Sequence, residues 1–210
     1  PLDPEHAQLL FDGLMSDIFE QSNPEHEGIA ERAQNTLNQH AEFFKWVVSN
    51  SSYLTRLLRF NPALVAALGG QNWQELLSDL MSGVRVEATA QDDRGDLMRV
   101  LRQAKGRAAL IIALGDLSEN WSVSEVTTVL TEFADLAVEL SLQWLFDAAY
   151  KAGDLTAKPD LKASGLIVLA MGKHGGHELN YSSDIDLVIF YEPEHLSFSS
   201  GMDANKFFHN

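Results

Sequence analysis

The chain has 210 residues, 45% apolar and 21% charged, with no cysteine and a formal net charge of -15 from 30 acidic against 15 basic residues. That length allows one large domain or two small ones, and the composition is that of a folded globular protein rather than a disordered one. The sequence excludes disulfides and cysteine-ligated zinc, offers no apolar run near the roughly 18 to 20 residues of a membrane span, and is too acidic for a nucleic-acid partner to be expected.

Up to residue 157 the pattern is helical. Asp3-Pro4 places a cap and an N1 proline ahead of Leu9, Leu10, Leu14 and Ile18, and Asn23-Pro24 repeats that start signal. Behind it Ile29, Ala33, Leu37, Ala41, Phe44 and Val48 keep helical spacing. Residues 53–60 form a shorter segment, which Asn61-Pro62 breaks and restarts and Gly69-Gly70 stops. Asn72 with Glu75 is a capping pattern before Leu76, Leu77 and Leu80. Leu97, Val100, Leu101, Ala104, Ala108, Ile111 and Ile112 predict another amphipathic helix. Its basic residues Arg94, Arg99, Arg102, Lys105 and Arg107 form either a solvated helix face or a docking surface for an acidic partner or phosphates. Ser122 with Glu125 is a capping box, and the stripe from Val126 through Phe133, Leu140 and Trp144 predicts a helix about 45 Å long ending at Gly153. Trp46, Trp73, Trp121 and Trp144 lie on or beside these stripes and are expected to pack between helices. Amphipathic helices joined by short polar turns make a bundle.

After the short linker Lys158-Pro159-Asp160 the character changes. Residues 165–170 (GLIVLA) are a continuous apolar run rich in β-branched residues, as a buried strand should be. A glycine-rich turn follows, residues 185–191 (IDLVIFY) predict a second strand ended by Glu192-Pro193, and residues 203–210 read as the start of a helix. The expected class is α+β and mainly α. A helical bundle over 1–157 precedes a smaller sheet-containing domain over 158–210.

The chemistry concentrates in residues 171–187, MGKHGGHELNYSSDIDL. Asp184 and Asp186, one residue apart on a predicted strand, project to the same face, with Ile185 and Leu187 turned toward a core. Adjacent carboxylates repel unless a cation neutralises them, and hard divalent ions such as magnesium or manganese prefer such oxygens. Gly172, Gly175 and Gly176 let a backbone approach a ligand and aim N–H groups at phosphate, with Lys173 adding a positive charge and Ser183 a hydroxyl. Asp184 and Asp186 are therefore the candidate metal ligands and catalytic acids. Gly172, Lys173, Gly175, Gly176 and Ser183 are the candidate nucleotide- or phosphate-binding residues. His174 and His177 stand beside Glu178, but a glycine-rich loop is a poor zinc platform and no further ligand is evident.

A strand, a Gly-Gly turn and Asp-x-Asp at the next strand resemble the polymerase-beta-type nucleotidyltransferases. The longer string GLIVLAMGKHGGHELNYSSDIDLVIFY resembles the bacterial bifunctional glutamine synthetase adenylyltransferase/adenylyl-removing family, and SSYLTRLLRFNPAL and LRQAKGRAALIIALGDL agree with it. The resemblance spans residues 51 to 191 and implies that residues 158–210 begin a mixed nucleotidyltransferase sheet. It also implies Mg2+ or Mn2+ on Asp184 and Asp186, glutamine synthetase as protein substrate, a PII-type signalling protein as regulator and a cytoplasmic location. No secretory leader is expected in PLDPEHAQLL. The spelling ELNYSSDID behind a long helical segment resembles the copy that removes AMP from a tyrosine of glutamine synthetase by phosphorolysis, releasing ADP. The other copy attaches AMP from ATP. Glu178 and Asn180 belong to the motif without an evident chemical step. His174 departs from it, since the family carries leucine there. The superfamily also uses a third acidic residue from a later strand. Glu192 and Glu194 lie at the wrong end of the second strand for that role, so little turnover is expected of residues 1–210 alone.

Overall fold

The computed structural model describes residues 3–20, 27–70 and 72–208. Helices α1 (Pro4–Glu20), α2 (Glu27–Gln39), α3 (Ala41–Asn50), α4 (Ser52–Phe60), α5 (Pro62–Leu68), α6 (Trp73–Thr89), α7 (Arg94–Leu117) and α8 (Val123–Ala152) precede the hairpin of β1 (Leu166–Ala170) and β2 (Leu187–Tyr191). A single turn, α9 (Gly172–Gly175), lies inside that hairpin, and α10 (Ala204–Phe208) follows it. This is a mainly α, α+β chain, as its sequence pattern predicts. No helix of the described residues is long and apolar enough to cross a membrane.

The start signals act through identifiable bonds. Asp3 Oδ1 accepts from the amides of Glu5 and His6, and Asn72 Oδ1 accepts from that of Glu75. At α8 the Ser122 hydroxyl accepts from the Glu125 amide while the Glu125 carboxylate accepts from Ser122, a complete capping box. The Asn23-Pro24 signal lies outside the described residues. Spacing alone suggests one helix through Leu37, Ala41 and Phe44, but the chain breaks at His40, at φ -120° and ψ 34°. The break escapes the periodicity because α3 starts at the next residue and preserves the phase of the apolar stripe.

The chain forms two compact units, Pro1–Leu80 with Gln103–Ser118, and Met81–Arg102 with Glu119–Asn210. In the first, α1 packs on α2, α3 and α4, and α2 packs on α5. Its core includes Leu14, Ile18, Leu37, Val47, Leu58 and Val65, joined by Leu110 and Leu114 from α7 and flanked by Trp73. In the second unit Phe146 of α8 shares a cluster with Leu155 and Leu196, against which Leu166, Phe198 and Phe207 pack. Arg85 forms a bidentate ion pair with Glu139, Trp144 Nε1–H donates to the Gln91 carbonyl, and Lys151 pairs with Asp92. Of the tryptophans, Trp121 is buried and Trp73 flanks the first core, whereas Trp46 is 41% exposed.

β1 and β2 are antiparallel, with Leu166 opposite Tyr191 and Ala170 opposite Leu187. Leu166 faces the Phe146 cluster, and Tyr191 stacks on Phe208. The alternate positions Ile167, Leu169, Val188 and Phe190 form the other face and are exposed. The apolar run in β1 therefore does not mark a strand buried on both sides, as its composition suggested. Among the described residues cover is confined to one side of the sheet and is incomplete there, since Ile189 on that side is 51% exposed.

Candidate functional site

Pairing between the strands continues one step past β1, where the Met171 amide donates to the Asp186 carbonyl at 2.9 Å. Gly172 then takes φ +56° and turns the backbone away, so residues 183–185 have no strand to pair with. β2 consequently begins at Leu187 rather than at residue 185, and Asp184 and Asp186 lie outside regular secondary structure just ahead of it. Ile185 is 40% exposed rather than turned into a core. Both aspartates are exposed, and neither forms an ion pair among the described residues.

The glycine-rich segment is one helical turn, not the open loop its composition suggested. Its bonds start with the Gly175 amide donating to Met171 O and the Gly176 amide to Gly172 O. The amides of Gly172, Lys173 and His174 come before the first of these closing bonds. Gly175 is required by packing, because a Cβ there would overlap the Ala170 carbonyl oxygen. The chain leaves the turn through His177 at φ +56°, with the Glu178 amide bonded to Lys173 O at 2.7 Å. Lys173, Gly175 and Gly176 are exposed.

Asn180 acquires a role that the motif alone did not reveal. Its Oδ1 accepts from the Ser182 amide and from the Ser183 hydroxyl, both at 3.0 Å, while Ser183 Oγ accepts from the Asn180 amide at 3.2 Å. These bonds shape the approach to Asp184 from within the chain, and they occupy the Ser183 hydroxyl proton. Leu179, 4% exposed, anchors the same segment. A short polar side chain that bonds nearby backbone is the usual way to hold such a turn.

His174 is also placed where the sequence gave no guide. It is 3% exposed, and its Nε2 lies 2.7 Å from Oδ1 of Asp135 on α8. The only sequence signals were the departure from leucine at 174 and an acidic residue beside the apolar stripe of α8. The basic cluster of α7 is partly engaged within the chain. Arg99 pairs with Asp96, Arg102 donates to the Met98 carbonyl, and Arg107 donates to Asn61 Oδ1.

The structure thus joins the turn of Gly172, Lys173, Gly175 and Gly176 to the segment of Ser183, Asp184 and Asp186 through the backbone bond at Met171. An exposed carboxylate pair beside an exposed glycine turn suits a divalent cation and a phosphate group.

The sequence profile of a family described as Glutamate-ammonia ligase adenylyltransferase matches residues 41–210. A bifunctional glutamine synthetase adenylyltransferase/adenylyl-removing enzyme of Bradyrhizobium sp. strain BTAi1 is 40% identical over 161 residues, covering 75% of this chain and 16% of that protein. Proteins of the same description from Bradyrhizobium sp. strain ORS 278 and Xanthobacter autotrophicus are 38% and 36% identical, each over 77% of this chain and 17% of their own length. The chain thus spans about a sixth of the length of these relatives. No solved structure matches.

Proposed function

Because the chain belongs to the glutamate-ammonia ligase adenylyltransferase family, we propose that it carries part of a nucleotidyltransferase site acting on glutamine synthetase. In this reading residues 158–210 contribute to a nucleotidyltransferase-type sheet, and the reaction removes AMP from an adenylylated tyrosine. An oxygen of inorganic phosphate attacks the AMP phosphorus, the bond from phosphorus to the tyrosine oxygen breaks, and the phenolate takes up a proton, leaving free tyrosine and ADP.

The observation that carries this reading is the bond from the Met171 amide to the Asp186 carbonyl, which sets the glycine turn beside the Asp-x-Asp segment. Asp184 and Asp186 would hold Mg2+ or Mn2+, which when bound neutralises phosphate charge and polarises the reacting oxygens. No cluster of three or more acidic or histidine ligands exists among the described residues, and the resemblance assigns the third acidic residue to a later strand, with substrate phosphate beside it. The backbone amides at Gly172, Lys173 and His174, which precede the first closing bond of the turn, and the Lys173 ammonium would orient phosphate, with Gly175 and Gly176 keeping the turn free of side chains and Ser183 at its edge. The protein's part in such a transfer is mainly positioning and charge neutralisation.

The relatives are named for both adenylyl transfer and adenylyl removal, so attachment of AMP from ATP is the second reading. A regulator of the PII type and a cytoplasmic setting accompany both. A third reading makes the chain a docking module without turnover. Glutamine synthetase carrying radiolabelled AMP distinguishes these when treated with phosphate and the complete gene product, wild type or with Asp184→Asn or Asp186→Asn. Labelled ADP from the wild type and a loss of about 100-fold or more in either variant is expected, the scale of removing one strong transition-state contact. Undiminished ADP release in the variants would sink the removal reading at this site. Retained binding to glutamine synthetase without any metal-dependent release would favour docking.

A further inference from the structure

Three glycines at 172, 175 and 176 leave the candidate phosphate turn with much backbone freedom and few side chains to anchor it. Within residues 171–178 the only buried side chain is that of His174. Its one recorded polar partner is Asp135, at 2.7 Å from Nε2, and Nδ1 is buried without a partner. That arrangement fits the tautomer in which Nε2–H donates to the Asp135 carboxylate and Nδ1 is bare, since an orphaned buried donor would be costly. Asp135 itself is 57% exposed and sits mid-way along α8, whose ends are fixed by the Ser122–Glu125 capping box and by Gly153. A hydrogen bond to an ionised group is roughly twice as strong as one between neutral partners.

We infer that the Asp135–His174 hydrogen bond tethers the glycine turn to α8 and that His174 is a positioning residue for the anion bound there. The tether fixes the direction of the amides at Gly172, Lys173 and His174 before ligand arrives, which removes ordering entropy from the binding step. The identity of the anion as a nucleotide's phosphate rests on the function proposed above. The ordering of the turn does not.

Amide hydrogen exchange across residues 171–178 tests the tether directly, alongside calorimetric titration with Mg·ATP as the probe. Asp135→Ala removes the acceptor from an exposed position and so leaves core packing intact. It is expected to speed exchange at residues 175–178, whose amides close the turn, and weaken Mg·ATP binding, each about 3- to 10-fold, the range of a single hydrogen bond. His174→Leu should do the same, and the double variant Asp135→Ala/His174→Leu should be no worse than Asp135→Ala. His174→Gln, whose Nε2 can also donate, should stay within about twofold of wild type. Unchanged exchange at 175–178 in Asp135→Ala, or additive losses in the double variant, would overturn the tether. If wild type fails to bind Mg·ATP, attachment of AMP from ATP at this site fails, and the exchange result alone decides whether His174 holds the turn.

Discussion

A methyl group at residue 175 would overlap the carbonyl oxygen of Ala170, whereas at residue 176 its nearest neighbour, the Gly172 carbonyl oxygen, would be 3.5 Å away. Adjacent glycines of one motif therefore have different physical reasons to be there. Gly175→Ala should cost about 1 to 3 kcal/mol, the usual cost of overpacking, because the obstructing atom is strand backbone that cannot rotate aside. Gly176→Ala should be close to neutral in stability. Thermal unfolding will separate them, with a drop of roughly 2 to 4 °C per kcal/mol for a chain of this size. Equal melting temperatures would show that β1 and the turn shift together to make room. Spacing in the sequence identified both glycines as candidates for close backbone approach but could not rank them, because the obstruction comes from how tightly the turn folds back on β1. The same limit applies at Asn180 and Ser183. Their residue types advertised hydrogen-bonding capacity, and only the fold shows that much of it is spent on each other.

Helix α8 was the most legible element, because local chemistry marks both of its ends and an apolar stripe runs between them. Ser122→Ala should destabilise the second unit by about 1 kcal/mol, the typical value of an N-cap. The Glu125 carboxyl is held below its ordinary 4.5, first by the Ser122 amide and then by the Ser122 hydroxyl. A depressed carboxyl contributes stability above its ordinary value, and that contribution is lost as pH falls through the depressed value. The penalty of Ser122→Ala should therefore be larger at pH 7 than at pH 3, and unfolding midpoints of wild type and variant at the two values check it. An equal penalty at both would show that the capping box leaves Glu125 energetically unlinked. Glu139 responds with the same sign, because Arg85 holds its carboxyl below the ordinary range, first by their side-chain hydrogen bond. That pair is half-exposed, so its contribution stays within about 1 kcal/mol. Elsewhere pattern was a poorer guide. The α2–α3 break keeps the apolar phase, and β2 starts two residues late because strand pairing depends on where β1 ends.

The change in composition at 157/158 and the division into compact units fall at different places in the chain, and hydrogen bonds explain why the first is not where the packing divides. The Thr156 amide donates to Ser197 O at 2.8 Å, the Ser199 amide donates to Asp154 O at 3.0 Å, and Leu155 bridges to Phe198 between them. The cluster beneath the sheet adds Phe146 and Ala149 from α8 to Leu166, Leu196 and the aromatic residues of the final helix. Residues 158–210 thus bring the sheet but only part of what it rests on, and the opposite face of Ile167, Leu169, Val188 and Phe190 is exposed. A lone two-stranded sheet is marginal in water. Residues 158–210 expressed alone should therefore give a narrow amide spectrum by nuclear magnetic resonance, with no slowly exchanging β1 amides, while the whole chain gives a dispersed one. In the whole chain, Phe146→Ala should cost about 3 to 5 kcal/mol as a large core truncation and should speed exchange in β1 before it does so in α1. A dispersed spectrum from residues 158–210 with protected β1 amides would show that the hairpin and glycine turn fold without α8. It would also remove the structural basis for fixing the candidate site through that helix.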